Sequence, residues 1–192
     1  MGQYYSLVLL NSKKKTYPNK EKVKVYLRSW DFDQGAKLME FSWIGNEFVG
    51  RLEALINKES GKYAGYPVIV AGDYADEEPY TLEGKKWNIY QLASEFGKKI
   101  EPKDAPEPKH YRYVINEDKK VFIDCERVKS FDGWRVHPLP ILCCDGCYRG
   151  SGDYHNKHRE VGAWKRNVVV TSDNRPDEKE YREVFYNFYE KL

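Results

Sequence analysis

Long apolar runs are missing from this chain of 192 residues. None approaches the ~20 residues that cross a bilayer, so no membrane partner is expected. The start, MGQYYSLVLL, has neither a charged leader nor a small-residue cleavage site, and a cytoplasmic setting is expected. A basic excess is also missing. Lys and Arg number 32 against 30 Asp and Glu, a net charge of +2, whereas duplex-binding proteins carry a basic stripe and a high pI. Duplex nucleic acid is therefore not an expected partner, and Lys13-Lys14-Lys15 reads as a solvated turn. Cysteine is scarce, at four. Without a secretory leader these read as reduced thiols, not a disulfide framework.

Aromatic residues, by contrast, are abundant: they make up 15% of the chain, including 16 Tyr and five Trp. Such side chains bury large areas and also stack on flat ligands. Together with an apolar fraction of 41%, they suffice for the core of one domain spanning 1–192.

Gln3 to Leu10 reads as a strand, and Val23, Val25 and Leu27 alternate with polar or aromatic residues as its hairpin partner. Lys37 to Trp43 fits a short helix or a strand. Asn46 caps a helix carrying Phe48, Val49, Leu52, Leu55 and Ile56, which Gly61 closes. Tyr66 to Gly72 is a buried strand leading into an acidic loop, and Ile89 to Phe96 a second helix. Lys99 to Lys109, with three prolines, is a connector. Tyr111 to Ile115 and Val121 to Asp124 form a hairpin, and Val168 to Val170 a late strand. Glu178 to Leu192 places Tyr181, Val184, Phe185 and Phe188 at helical spacing. The sum is an α+β fold with a mainly antiparallel sheet of about six strands and about three helices.

Candidate chemistry concentrates between His137 and Arg166, which holds three of the four Cys and three of the four His. Gly146, Gly150 and Gly152 open a loop that contains Arg149 and ends in Asp153-Tyr154. Glycines let backbone N–H groups approach an anion, and an arginine forks onto phosphate. The loop matches neither the Walker A pattern nor the dinucleotide fingerprint. Cys144 and Cys147 form C-x-x-C. Tetrahedral zinc needs two further ligands, available from Cys125, His137, His155 and His158, but no second pair has finger spacing. No metal or other cofactor is expected. Asp73, Asp76, Glu77 and Glu78 are either a cation or acid–base site at a strand end or a solvated loop.

Several segments taken together resemble an uncharacterised group of small proteins from Firmicutes and their phages. They are MGQYY, Gly35 to Glu40 with Ser42-Trp43, Val70 to Asp76, His137 to Pro140, Gly150 to Tyr154 and Gly162 to Arg166. In that group the glycine loop is longer, close to GNGRGGGDY, and lacks cysteines, so zinc is not implied as a shared property. The phage association implies a role in countering host defence or in nucleotide metabolism.

The leading expectation is a binding protein for a phosphate-bearing small molecule, a nucleotide, in a phage setting one that sequesters a defence signal. Gly150, Gly152, Arg149 and Arg166 would hold phosphate. Trp43, Tyr74, Tyr154 or Trp164 would stack on the base, with Asp153 beside them. Two alternatives stay open. One is a hydrolase or transferase using Asp73 or Asp153 as base; the other is an inhibitor whose aromatic surface contacts a host protein. Exposed aromatics would also suit a homodimer.

Overall fold

A computed structural model describes residues 2–13, 19–79, 81–130, 133–150 and 160–186. The first strand, β1 (Tyr5–Leu10), is buried along its whole length. Its alternate residues serve opposite faces: Tyr5, Leu7 and Leu9 join the main core, while Val8 and Leu10 join a second cluster. A strand that is apolar on both faces belongs in the middle of a covered sheet, and β1 sits there. It pairs antiparallel with β2 (Val23–Arg28), which follows the single turn of α1 (Asn19–Lys22), and with β3 (Val68–Gly72).

Two helices between these strands are positioned by their caps. The short α2 (Leu38–Phe41) buries Leu38 and Phe41. The longer α3 (Glu47–Ile56) starts where the Asn46 side chain accepts the Val49 N–H at 3.2 Å, a bond that satisfies one of the orphan donors of the first turn. After β3 come a two-residue hairpin, β4 (Thr81–Leu82) and β5 (Lys85–Lys86), and then α4 (Ile89–Phe96). Asn88 and Gln91 cap α4 reciprocally at 2.9 and 3.0 Å. Ile89, Leu92 and Ala93 lie against Val8, Leu10, Val23, Ile69 and Ala71, so α4 covers one face of the sheet.

Two-residue strands complete the first sheet at its edges. They are β6 (Lys98–Lys99), parallel to β2, and β9 (Cys144–Asp145), parallel to β3. A second sheet has the order β10 (Val169–Ser172), β7 (Tyr113–Asn116), β8 (Val121–Asp124), β11 (Arg182–Glu183). The tight β7–β8 turn forms because the Asn116 side chain accepts the N–H groups of Asp118 and Lys119. Between the two sheets lies the main core, where α3 contributes Phe48, Val49, Leu52, Leu55 and Ile56. A short helix, α5 (Pro138–Leu142), is also wholly buried there.

The class is α+β, with eleven strands and five helices among the described residues. Both counts exceed the expectation, because two-residue edge strands and one-turn helices carry no readable period. Those edges also make the sheets mixed: β6, β9 and β11 run parallel to their neighbours. The helix expected from Glu178 is corrected over 178–186. There the Arg182 and Val184 N–H groups bond to Lys120 and Phe122 carbonyls, and β11 extends the sheet. Residues 187–192 lie outside the described part. Leu52 is fully buried among α3's core contacts, and Leu52→Ala should lower the unfolding free energy by about 2–5 kcal/mol, read from urea denaturation.

Candidate functional site

Four carboxylates follow β3, and each has its own partner. The Asp73 side chain accepts the Tyr4 N–H at 3.2 Å, which ties the loop to the approach to β1. Asp76 accepts from Arg149 at 2.7 Å, and Glu77 lies 3.5 Å from Lys86. Glu78 is buried between two cations: Lys22 Nζ donates to it at 2.6 Å, and Arg166 Nη2 donates to its other oxygen. These residues therefore form no joint cation site, and among the described residues no group of three or more His, Cys, Asp and Glu is arranged to hold a metal.

Arg166 is only 7% exposed and adopts a left-handed backbone, φ 66°. Its Nε and Nη1 are buried without a hydrogen-bond partner, and its Nη2 is spent on Glu78. Trp164 has no exposed surface and packs against Tyr186. Neither side chain is placed to meet a ligand, so the phosphate and stacking roles expected of them have no support in this arrangement. Gly152, Asp153 and Tyr154, like His155 and His158, fall outside the described residues. Gly150 is described and buried, and a Cβ there would come within 2.4 Å of the Gln3 side chain and 2.6 Å of its backbone N. Close packing against the chain before β1 thus requires this glycine, whatever else its loop does.

The described part of the glycine region borders an open cleft of about 340 Å³ between the segment after β9 and the turn at 160–165. Asp76, Asp145, Cys147, Tyr148, Arg149 and Lys165 line it. Arg149 is anchored twice, by the Tyr74 carbonyl at 2.6 Å and by Asp76. Lys165 Nζ lies 2.9 Å from Asp145. The loop can turn this way because Gly146 has φ 85°, with Ala75 backbone atoms where a Cβ would stand. Tyr148 also has positive φ, 81°, and leaves 44% of its surface exposed. Burial, together with the neighbouring Cys147 and Cys144, pushes the Tyr148 hydroxyl up to about 12, so it stays a neutral donor at physiological pH.

All four cysteines are free thiols. Cys144 and Cys147 are hydrogen-bonded to each other, and that contact together with burial raises the Cys144 pKa well above its ordinary value. Thiols held protonated in this way are poor nucleophiles and poor metal ligands. Burial likewise raises the pKa of Cys143 and of Cys125. His137, a zinc candidate by sequence, instead faces Glu53.

That contact belongs to a cluster that no local motif announces. Glu53, fully buried on α3, receives His110 Nδ1 at 2.7 Å, His137 Nε2 at 3.3 Å and the Tyr111 N–H at 3.3 Å. His137 Nδ1 accepts the Leu139 N–H that starts α5, so its proton sits on Nε2, facing the carboxylate. Burial alone would raise a carboxyl's pKa. Here His137 and His110 outweigh it, and Glu53 titrates below its ordinary 4.5. His110 is raised above 6.5, first by its hydrogen bond to Glu53 and despite some desolvation. The one sequence signal was a glutamate four residues after Val49 and three before Ile56, on the apolar stripe of α3.

Trp43 lies elsewhere. It lines a different cavity, paired with Trp134, and shares no wall with Arg149. No helix among the described residues is long and apolar enough to cross a membrane. No protein-family model matches the chain, nor does any curated protein or solved structure.

Two outcomes test these placements. Glu78→Gln leaves Lys22 and Arg166 buried without a counter-charge and should destabilise by about 3–5 kcal/mol, seen as a lower urea midpoint at unchanged slope. The Glu53 contribution is present above pH 4.5 and disappears as pH falls through its lowered pKa. The His110 contribution is full below pH 6.5 and disappears as pH rises through its raised pKa. Melting temperature should therefore be highest between about 4.5 and 6.5, and His110→Gln should flatten the alkaline decline and shrink the acid one, of which the His137 share remains.

Proposed function

We propose that the protein binds a small phosphate-bearing ligand, a nucleotide, in the cavity between Gly146 and the 160–165 turn. The observation that carries this reading is that Arg149 and Lys165, each held by one carboxylate, line one cavity of about 340 Å³. That volume falls within the ~300–1,000 Å³ of small-molecule sites. Exposed ion pairs contribute little net free energy. A phosphate can therefore replace Asp76 on the Arg149 fork, where it gains bidentate, charge-assisted hydrogen bonds. Tyr148, exposed and on the same wall, offers a ring for the base.

The sequence reading is thereby shifted within the same loop. Lys165 takes the phosphate role given to Arg166, and Tyr148 the stacking role given to Trp164. Of the two candidate bases, Asp73 accepts the Tyr4 N–H and does not line the cavity, and Asp153 lies outside the described residues; the binding reading rests on the two cations. Sequestration of a defence signal rests on the phage resemblance alone.

Calorimetric titration with ATP, NAD and inorganic phosphate tests the reading. At least one nucleotide should give saturable heat and be recovered unchanged. Arg149→Ala and Lys165→Ala should each weaken it roughly tenfold, about 1.4 kcal/mol. Heats no larger than dilution for all three probes would overturn the proposal.

A further inference from the structure

We infer that a second, independent site for an organic cation lies where the α2–α3 connection and the first turn of α3 meet the Trp134 segment. Its walls are two indoles. Trp43 and Trp134 stand 5.3 Å apart between ring centroids, at 57° to one another. Trp134 is 61% exposed, the most open tryptophan among the described residues, and Trp43 is half-buried.

The pair is held by backbone. Trp43 bridges Val136, the Ile44 N–H bonds to the Arg135 carbonyl at 2.9 Å, and the His137 N–H bonds to the Ser42 carbonyl at 2.9 Å. Gly45, with φ 94°, leaves open space where a side chain would stand. The result is a cavity of about 460 Å³ whose remaining wall includes Glu40, Glu47, Gln34 and Asn46.

The charged side chains that line it, Glu40 and Glu47, have one sign, while His110 stands behind Gly45 and Glu47 as a cation. Glu47, exposed in the first turn of α3, forms no ion pair among the described residues. Glu40 shares its charge with Lys37 at 3.9 Å, and one oxygen also accepts the Lys37 N–H. The Asn46 side chain is consumed, donating to Gln34 and capping α3. An indole face is itself the negative pole of a quadrupole and attracts cations. Two such faces beside two carboxylates repel an anion. They suit an alkylammonium group, whether free as in choline or carried on a trimethylated lysine.

Titration of the full chain, followed by tryptophan fluorescence, tests this with choline, with its uncharged isostere 3,3-dimethylbutanol, and with a short peptide bearing trimethyl-lysine. Choline or the peptide should quench saturably, and whichever binds more tightly identifies the source. The isostere should bind at least roughly tenfold more weakly, the discrimination expected of a cation held on aromatic faces. Trp134→Ala should abolish quenching, and Glu47→Gln should weaken it several-fold. Trp134 is largely exposed, and unchanged circular dichroism would certify that its variant is folded. Equal binding of choline and the isostere, or no quenching by either cation, would overturn the inference.

Discussion

The structure hinges on one buried carboxylate. Glu53 lies on the core face of α3, where a charge without partners would cost several kcal/mol. It is tolerable only because His110, His137 and the Tyr111 N–H converge on it. The donors arrive from two parts of the chain: the consecutive His110 and Tyr111, between the proline-rich connector and β7, and His137 at the start of α5. From the same residue the main-chain carbonyl accepts the Thr171 hydroxyl of β10 at 2.8 Å. One turn later, Asn57 and Lys58 bond to the Thr171 carbonyl. Satisfying Glu53 thus sets how α3, α5 and the second sheet lie together. Apolar contacts alone would tolerate small slides of α3; the directed hydrogen bonds do not.

Elsewhere charge is managed in the same way. The acidic loop after β3 looks in sequence like a candidate cation site, yet its members separate. Asp73 goes to the backbone before β1, Asp76 to Arg149, and Glu78 to the buried Lys22 and Arg166. The loop therefore works as a distribution point joined to four other segments. The proposed ligand cavity inherits its geometry from this, since Asp76 and the Tyr74 carbonyl position the Arg149 fork.

How much of this could be read from sequence follows the range of the interactions. β1, β2 and the β7–β8 hairpin were legible because their signals are local: alternation and an Asn-led turn. The same holds for α3, announced by an asparagine cap before an apolar stripe, and for α4, read at Ile89 to Phe96. The C-terminal helix failed for the converse reason. Tyr181, Val184 and Phe185 do have helical spacing, but Tyr181 packs on the outer face of the second sheet, while Arg182 and Val184 take up hydrogen-bonding groups along β8. Tertiary pairing there outweighs a weak local preference. In the site, the glycine loop and Arg149 could be found from composition. Lys165 and Tyr148 could not, and the burial of Trp164 and Arg166 depends on contacts from β3, Glu78 and Tyr186 that no spacing encodes.

The first sheet is drawn from segments scattered along the chain: β6, β2, β1, β3 and β9 come from residues 98–99, 23–28, 5–10, 68–72 and 144–145. Its inner antiparallel pairs can form early. Its parallel edges must wait for distant segments, and closing such long loops has to precede any gain from pairing. The β7–β8 hairpin, with its self-capping Asn116 turn, is the element best able to form by itself. The order of assembly this implies starts from the two hairpins, β1–β2 and β7–β8, with the strands that pair across long separations, β9 among them, added later. The cavity walls around Gly146 would then be among the later parts of the molecule to take shape.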